Sequence, residues 1–363
     1  MQRHDAVIPG ATSLAQVAGG LADAGWTLAQ AQPRSATHLL LQVHDAEGRF
    51  LPGQWHADPA DAERVAARTG AVLRPTSHVL LQPGGLDRRL PALAPLLASA
   101  GVELVAHRPE RRAVVRVRRS AGPDLYVKVV RPGRAEPAAR TLRHLTAAGL
   151  PVPAVLGTDD DQGVLALGAL PGRTLHALLG GDQAGLPDLA DLRAVGALVR
   201  RLHGVPPPPE AGTHTAADEL AVLDRARSLA VAFGVGGSPE GETGRAGVAE
   251  ALASVPAPAT AVPLHRDLHD KQLLRDPATG AWSVLDLDLL ALGDPAVDLA
   301  NLAVHLELRA AQGLLDPALV GPWTSAVLDG YDADERTRAA LGPYAAATRL
   351  RLDAVYAFRP GGG

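Results

Sequence analysis

The chain has 363 residues, 47% of them hydrophobic, which is enough for a large core and for two or three domains. A net charge of −4 without a basic cluster argues against nucleic acid and against an anionic membrane surface as partners. No cysteine is present, which excludes disulfides, thiolate metal sites and cysteine nucleophiles.

The first 98 residues predict a small α/β domain. A helical period over 14–22 is followed by two strand-like runs, at 38–43 and 78–82. A second helix is predicted over 88–98, where two prolines weaken the pattern. The chain shows neither a signal-peptide pattern nor a window of about 18 apolar residues. We therefore expect a cytoplasmic protein without membrane contact.

Residues 99–170 predict an antiparallel sheet that carries one helix. Short turns separate the first three strands, which favours a meander; a helix and two more strands follow. The predicted strands are 102–107, 113–118, 125–130, 154–158 and 163–170, and the predicted helix is 137–148.

The last part of the chain, residues 171–363, is predicted to be mainly helical. The Gly-rich, polar stretch 234–247 is predicted to be a surface loop. The predicted helices are 188–203, 217–232, 298–311, 322–328 and 343–357.

One polar region lies within this helical part. It reads His265-Arg266-Asp267-Leu268-His269-Asp270-Lys271-Gln272, then Asp286-Leu287-Asp288 after a predicted strand at 282–285, then Gly293-Asp294-Pro295. This pattern suits phosphoryl transfer from a nucleotide: it has an aspartate in a loop, an amide side chain shortly after it, and a second aspartate that follows a strand. One carboxylate orients the acceptor hydroxyl, while the amide oxygen and the other carboxylate hold magnesium.

These segments resemble the catalytic loop, the metal loop and the Gly-Asp-Pro helix start of the aminoglycoside phosphotransferase-like kinase family, over roughly residues 102 to 363. The resemblance implies an α+β, protein-kinase-like two-lobe fold, here with an additional N-terminal α/β domain. It places the catalytic aspartate at Asp267 and the magnesium ligands at Gln272 and Asp286. Asp288 is either a second metal ligand or a solvent-facing residue. ATP and Mg²⁺ are the implied cofactors.

A lysine upstream fits the nucleotide side of such a site. Lys128 is one of only two lysines in the chain, and strand alternation puts it on one face with Tyr126 and Val130. A kinase lysine reaches the α and β phosphates from this position. The resemblance also implies that the turn at 107–112 covers the phosphates with its backbone amides.

Further nucleotide contacts follow from the same resemblance. Arg111 or Arg112 would assist the phosphate-covering turn. The segment Gly168-Ala169-Leu170-Pro171-Gly172 resembles the hinge, so that adenine would meet backbone groups of Ala169 and Leu170.

The chain departs from the family pattern at several positions. The glutamate that pairs with the strand lysine is expected near Ala139, and the only acid nearby is Glu136. Glu136 reaches Lys128 if the helix starts early; otherwise the pair is missing. Gln272 replaces the commoner Asn with the same amide on a longer stem. No activation-segment signature follows Asp286, which points to small-molecule acceptors.

Other polar residues of the region have structural interpretations. His265 is expected to brace the loop through backbone hydrogen bonds. Asp294 and Asp298 are expected to act as helix caps or loop braces. His269 and Lys271 remain open between contacts with substrate or phosphate and exposed loop positions.

The expected function is ATP-dependent O-phosphorylation of a small hydroxyl-bearing molecule. A sugar or amino sugar is favoured, because relatives that phosphorylate maltose or glucosamine carry an N-terminal domain of comparable size. Residues 301–363 also hold seven acids against six arginines, no surplus for a polycationic aminoglycoside. An aminoglycoside or other antibiotic phosphotransferase is the alternative; a catalytically silent nucleotide-binding scaffold is the alternative of another class. No nucleic-acid partner is expected, and the oligomeric state stays open.

Overall fold

The computed structural model describes residues 12–70, 72–181, 185–208, 210–236 and 239–360. Two five-stranded sheets come first along the chain, and a mainly helical region with two small three-stranded sheets follows. This arrangement confirms the predicted α+β, two-lobe fold with an additional N-terminal domain. Within the described ranges, no helix is both long enough and apolar enough to span a membrane.

The N-terminal domain is an antiparallel sheet in the order β1-β2-β3-β5-β4, covered by helices. Helix α1 begins where the Ser13 hydroxyl accepts the Gln16 N–H, and its apolar face buries Leu14, Val17 and Leu21. The strands are β1 (Thr27–Ser35), β2 (His38–His44), β3 (Phe50–His56), β4 (Leu73–Thr76) and β5 (Val79–Leu81), and the helices are α1 (Leu14–Asp23), α2 (Pro59–Thr69) and α3 (Leu93–Leu97).

The helix predicted over 88–98 is only the short α3 in the structure, because its first half forms a turn around Asp87. The Asp87 carboxylate accepts the N–H of Arg89 at 2.8 Å, which stops a helix from forming there.

The second sheet forms the N-lobe and has the order β6-β7-β8-β10-β9. All five predicted strands and the predicted helix are present. The helix starts two residues earlier than predicted, because the Asp160 carboxylate accepts the N–H groups of both Ala135 and Glu136 at 2.9 Å. The elements are β6 (Val102–Arg108), β7 (Arg112–Val117), β8 (Leu125–Val130), α4 (Ala135–Ala147), β9 (Val155–Asp159) and β10 (Val164–Gly168).

The helical region forms the C-lobe, with the small sheets β11-β14-β15 and β12-β16-β13 carrying the polar motifs. Its helices are α5 (Leu175–Leu179), α6 (Leu189–His203), α7 (Ala216–Ala232), α8 (Pro239–Ser254), α9 (Ala296–Ala311), α10 (Pro317–Tyr331) and α11 (Glu335–Tyr356). Its strands are β11 (Arg173–Thr174), β12 (Gly212–His214), β13 (Val262–Leu264), β14 (Leu273–Arg275), β15 (Trp282–Val284) and β16 (Ala291–Gly293).

Two predictions for this lobe are wrong. The stretch 234–247 is not a loop throughout, since α8 starts at Pro239 and buries Val248 and Leu252. The helices predicted at 322–328 and 343–357 begin earlier, at Pro317 and Glu335. The prediction took Pro322 and Pro343 as first helical residues, whereas both prolines lie inside their helices. The true starts are capped by Asp316 and Asp334, whose carboxylates accept the N–H groups of Ala318 and Thr337.

The N-terminal domain contacts both lobes. Phe233, just after α7, and Phe358, beyond α11, are buried in the same apolar cluster as Trp55 of β3. The ring centroid of Phe233 lies 5.8 Å from that of Trp55 and 5.8 Å from that of Phe358. On the other side, the Asp87 carboxylate accepts hydrogen bonds from His107 Nε2 at 2.9 Å and from the N–H of Glu110 at 2.7 Å. The N-terminal domain therefore joins the C-lobe to the β6–β7 turn of the N-lobe.

Candidate active site

A single buried imidazole joins the two polar loops of the C-lobe. His265 is fully buried; its Nε2 donates to the Leu285 carbonyl at 2.7 Å, and its Nδ1 accepts the N–H of Asp267 at 3.3 Å. A carbonyl can only accept, which fixes the tautomer with the proton on Nε2. Because Leu285 directly precedes Asp286, this ring sets the distance between the loop of Asp267 and that of Asp286. The predicted bracing role of His265 is confirmed.

A second brace comes from α9. The carboxylate of Asp298 is fully buried and accepts hydrogen bonds from the N–H of His265 at 2.6 Å, the N–H of Arg266 at 2.7 Å and Nε2 of His203 at 3.0 Å. These bonds hold Arg266 at a φ of 67°, a left-handed conformation that non-glycine residues rarely adopt. Burial raises the pKa of Asp298, but hydrogen bonding from His203 and His265 outweighs it and keeps the pKa below the usual range. Asp298 is thus a loop brace and not a helix cap.

Asp294 combines the two roles that were predicted as alternatives. Its carboxylate accepts the N–H of Ala296 at 3.0 Å at the start of α9 and binds the guanidinium of Arg336, with Nη1 at 2.6 Å.

A compact charge cluster spans the two lobes. Lys128, on β8, lies 3.2 Å from the Asp286 carboxylate through its Nζ and also contacts Asp288. Arg112, at the start of β7, binds Asp286 with both Nη atoms at 2.9 and 2.8 Å and also contacts Asp288. Lys128 is 8% exposed, so it is not a solvated surface lysine.

The charges in this cluster control its protonation. Burial would raise the pKa of Asp286, but the charges of Lys128 and Arg112 and their hydrogen bonds hold it well below its usual range. The backbone of Asp286 has a φ of 56°, again in the left-handed region. Asp286 therefore stays ionised at neutral pH, and its strained backbone directs it at the opposite lobe.

A cavity of about 470 Å³ lies between the N-lobe sheet and these loops. Its polar end is lined by Lys128, Arg112, Gln272 and Asp286. Its apolar side consists of Val114, Leu167, Leu170, Leu274 and Leu285. The predicted hinge thus borders the cavity through Leu170, with Ala169 as the adjoining residue. The shape and lining suit a nucleotide whose base meets the apolar side and whose phosphates meet the polar end.

The catalytic-loop residues Asp267 and Gln272 approach each other around His269. Asp267 Oδ2 lies 3.9 Å and Gln272 Nε2 lies 3.4 Å from Nε2 of His269. The N–H of Lys271 lies 3.1 Å from Nδ1 of His269, and Nε2 of the same ring faces the side chains of Asp267 and Gln272. The Asp267 carboxylate is 41% exposed and is therefore accessible to an acceptor, as is the exposed Lys271.

The structure does not form the glutamate–lysine pair. Although α4 starts early, Glu136 binds Arg143 Nη1 at 2.7 Å and accepts the Thr158 hydroxyl at 3.0 Å. Lys128 is instead neutralised by Asp286 and Asp288. Of the two alternatives, the structure has the one in which the pair is missing: the early helix start does not bring Glu136 to Lys128, and Glu136 stands outside the charge cluster.

The β6–β7 turn carries three arginines near the cavity. Arg112 binds the aspartates across the cleft, while the pKa of Arg108 and of Arg111 is lowered, first by desolvation and then by repulsion from the other arginines. Such mutual repulsion is relieved by an anion, which agrees with the predicted place of the phosphates.

Several residues of the site escaped the sequence reasoning. Asn301 donates from Nδ2 to the Leu268 carbonyl at 2.8 Å, and Arg309 binds the buried Asp270 at 2.8 and 3.1 Å, so α9 holds the catalytic loop at further points. The signal was available: Asp298, Asn301, His305 and Arg309 recur at helical spacing along an otherwise apolar helix. A polar stripe on a buried helix indicates bonds to a neighbouring loop.

Two sets of side chains in the described residues have metal-ligand chemistry. Gln272, Asp286 and Asp288 offer amide and carboxylate oxygens, the ligands that Mg²⁺ prefers. His269, Asp270 and His305 also lie within ligand distance of one another. In that second set the Asp270 carboxylate is already neutralised by Arg309, and a cation there would be repelled by the guanidinium. Lys128 and Arg112 likewise bind the carboxylates of the first set. The two sets differ in their donors: the first offers only oxygens, which suit magnesium, whereas the second contains two imidazoles.

Comparisons with known proteins agree with this geometry. A family model described as the phosphotransferase enzyme family (APH) matches residues 109–344, more than half of the chain. No curated protein matches the chain. Among solved structures, an aminoglycoside-3'-phosphotransferase of type VIII is 23% identical with a TM-score of 0.52, covering 72% of this chain and 97% of the other. Choline kinase LicA from Streptococcus pneumoniae is 12% identical with a TM-score of 0.50, and the alignment covers 72% of this chain and 86% of the kinase.

A glucosamine kinase aligns over 92% of this chain and 88% of its own at 20% identity, with a TM-score of 0.42. These likenesses concern the fold, whereas the family model covers the catalytic loop, the metal loop and Lys128 together. The chain belongs to the phosphotransferase enzyme family.

Proposed function

We propose that this phosphotransferase uses Mg-ATP to phosphorylate a hydroxyl group of a neutral sugar or an amino sugar. The observation that carries the proposal is the contact between Lys128 and Asp286, 3.2 Å apart across the cleft. It brings an N-lobe lysine and a C-lobe carboxylate to one end of a cavity whose other side is apolar. Phosphoryl transfer needs this convergence, because its catalysis consists mainly of positioning and charge neutralisation.

Asp267 accepts or orients the acceptor hydroxyl. Its carboxylate is exposed to solvent at the mouth of the loop, and among the described residues no lysine or arginine pairs with it, so it remains available as a hydrogen-bond acceptor.

Gln272 and Asp286 hold the magnesium, with Asp288 as the further carboxylate. When bound, the metal neutralises the phosphate charge that develops during transfer. Asp286 is ionised over the physiological pH range because its pKa is depressed, so it needs no proton release to act as a ligand.

Lys128 steadies the phosphates, and the β6–β7 turn covers them with help from Arg111 and Arg112. Arg112 also keeps Asp286 and Asp288 oriented. The adenine meets the segment of Ala169 and Leu170. We further propose a cytoplasmic location, where ATP is available.

The sequence further divides into three functional parts. We assign residues 1–98 to a cap domain, 99–170 to the nucleotide-covering N-lobe and 171–363 to the C-lobe with the catalytic and metal loops. The two contacts made by Asp87 connect the cap to the β6–β7 turn.

The acceptor is inferred from the charge of the C-lobe. Three of its acids are bound to arginines: Glu307 to Arg349 at 2.7 Å, Asp329 to Arg338 at 3.0 Å and Asp294 to Arg336 at 2.6 Å. Binding of a polycationic aminoglycoside needs free carboxylates. A neutral acceptor is recognised by directional hydrogen bonds instead, which suits a sugar.

A phosphorylation screen tests this proposal. The full chain is incubated with Mg-ATP and with neutral sugars, amino sugars or aminoglycosides, and ADP release and the mass of the product are measured. We expect turnover with a sugar or amino sugar and its loss in Asp267→Asn. Preferential turnover of kanamycin-like compounds would contradict the acceptor assignment. Stabilisation by Mg-ATP without turnover of any compound would favour the silent scaffold.

A further inference from the structure

A second cavity, of about 420 Å³, lies where the N-terminal domain meets the outer side of the β6–β7 turn. We refer to it as the arginine cleft. It is lined by residues other than those of the nucleotide cavity. Its six arginines come from β1, α2, the segment before α3 and the residue that follows β8: Arg34, Arg64, Arg68, Arg88, Arg89 and Arg131.

The arginine cleft is strongly positive. Among the described residues, its lining contains two carboxylates, Asp61 and Glu110. Glu110 is shared between Arg88, at 2.9 Å, and Arg89, at 3.3 Å. Six guanidinium groups against two carboxylates leave a surplus of four positive charges in one small cavity.

Three of these arginines lack a carboxylate partner within the described residues. Arg34 and Arg68 make no ion pair, and Arg131 donates from Nε only to the Glu110 carbonyl, at 2.7 Å. Desolvation lowers the pKa of Arg131, and repulsion from Arg89 and Arg34 lowers it further. Neighbouring guanidinium groups repel one another unless carboxylates pair with them. The repulsion among these unpaired arginines is removed when an anion binds between them.

A buried histidine provides an independent indication of a ligand. His56 lines the arginine cleft, is only 7% exposed and stacks on His38 with ring centroids 4.3 Å apart. Its Nε2 atom is buried without a hydrogen-bond partner. Buried polar atoms in folded proteins are normally hydrogen-bonded, so the orphaned Nε2 of a residue that lines the cleft points to a missing partner. An anionic oxygen would supply that partner.

We propose that the arginine cleft binds a small molecule that carries at least two phosphate groups. The planar fork of arginine matches phosphate oxygens with paired hydrogen bonds, and the surplus of four charges matches a diphosphate or a bisphosphate better than a single phosphate. The cavity has the size of a small-molecule site. The ligand is either an inorganic polyphosphate or a phosphorylated metabolite, which share this chemistry.

The site is independent of the phosphoryl-transfer reaction. It does not use Lys128, Asp267 or Asp286, and its ligand would bind whether or not the chain phosphorylates a sugar. It borders the same β6–β7 turn through Glu110 and Arg131.

Calorimetric titration of the full chain without Mg²⁺ tests the proposal, with pyrophosphate, a hexose bisphosphate and orthophosphate as probes. We expect pyrophosphate or the bisphosphate to bind at least about tenfold more tightly than orthophosphate, and the double variant Arg34→Gln/Arg68→Gln to lose at least about tenfold in affinity. The tighter of the two probes identifies the source of the phosphates.

Two matched variants locate the binding. Arg119→Gln removes an exposed arginine outside the cleft and should bind the probe as wild type does. Lys128→Ala disables the nucleotide cavity and should also retain binding. Unchanged affinity in Arg34→Gln/Arg68→Gln, or loss of binding in Lys128→Ala alone, would overturn the proposal.

Hydrogen exchange of the wild-type chain gives a readout that needs no variant. Bound pyrophosphate should protect amides of α2 and of the β1–β2 turn. Protection confined to residues 107–130 and 265–290 would place the anion in the nucleotide cavity and would contradict the arginine cleft as its site.

Discussion

Replacing Asp298 with asparagine tests how the catalytic loop is held. The change keeps the size of the side chain, but it replaces one carboxylate oxygen with an NH₂ group, which donates hydrogen bonds, and it removes the negative charge. In the wild type, Oδ2 accepts two hydrogen bonds, from the His265 N–H and from His203 Nε2, and Oδ1 accepts one, from the Arg266 N–H.

The magnitude follows from the best orientation that the asparagine can take. Its carbonyl oxygen can replace Oδ2 and keep the bonds to His265 and His203, but its NH₂ group then faces the N–H of Arg266. One charge-assisted bond is lost, two are weakened and two donors oppose each other in a fully buried place. The expected destabilisation is about 2–4 kcal/mol. The turnover number should fall as well, because the freed loop carries Asp267.

Urea unfolding measures the first effect and steady-state kinetics the second. Asp353→Asn is the control, because this acid is exposed on α11, and its free energy of unfolding should stay within about 0.5 kcal/mol of wild type. A change below about 0.5 kcal/mol in Asp298→Asn as well would refute the bracing role of Asp298.

The pH dependence provides a second check on the same variant. The folded pKa of Asp298 lies below its unfolded value, so its contribution is complete above the unfolded pKa of about 3.9 and is lost as the pH falls through the folded pKa. The difference in unfolding free energy between wild type and Asp298→Asn should therefore be constant near neutral pH and shrink below about pH 4. A difference that grows on acidification would contradict the depressed pKa.

Three further predictions concern the nucleotide and the acceptor. Lys128→Arg should lower kcat/KM by at least about tenfold although the charge is kept, because the planar fork does not fit the space of an ammonium between two carboxylates; near-normal kinetics would argue against a phosphate contact. Glu136→Gln should leave the Kd for Mg-ATP within about twofold of wild type in calorimetry, since Glu136 binds Arg143, and a tenfold loss would restore the pair with Lys128. The kcat/KM for a sugar should depend little on ionic strength, and a steep loss with salt would indicate a multiply charged acceptor.

The parts of the site that lie close together in the chain could be predicted from sequence. Asp267 and Gln272 belong to one loop, and Asp286 follows a short strand, so their residue types and spacing were enough to predict the chemistry that we propose for them. The strand of Lys128 was equally clear, because its apolar residues alternate and Gly and Pro mark the turns around it.

Contacts between distant segments were not predictable in this way. The cap at the start of α4 comes from Asp160, far along the chain, and nothing local to Glu136 indicates that it turns to Arg143 and Thr158. The cross-lobe bonds of Arg112 to Asp286 depend on how the lobes meet, which local patterns do not encode.

The N-terminal domain was the least predictable part. Strands β1 and β3 contain Pro33, Pro52 and Gly53, residues that weaken a strand pattern. Gly53 is required there, because a Cβ would lie 2.8 Å from the Leu80 carbonyl oxygen of the neighbouring strand. The close approach of two strands thus selects a residue that local propensity counts against.

The affinity for Mg-ATP in Asp286→Asn and Asp267→Asn, measured by calorimetry beside wild type, tests the assignment of the two aspartates most directly. Asp286→Asn removes a metal charge and should weaken Mg-ATP binding at least about tenfold, while Asp267→Asn should bind it as wild type does and lose about two to four orders of magnitude in kcat. Equal affinity for Mg-ATP in both variants would contradict the division of labour between Asp267 and Asp286 on which the account rests.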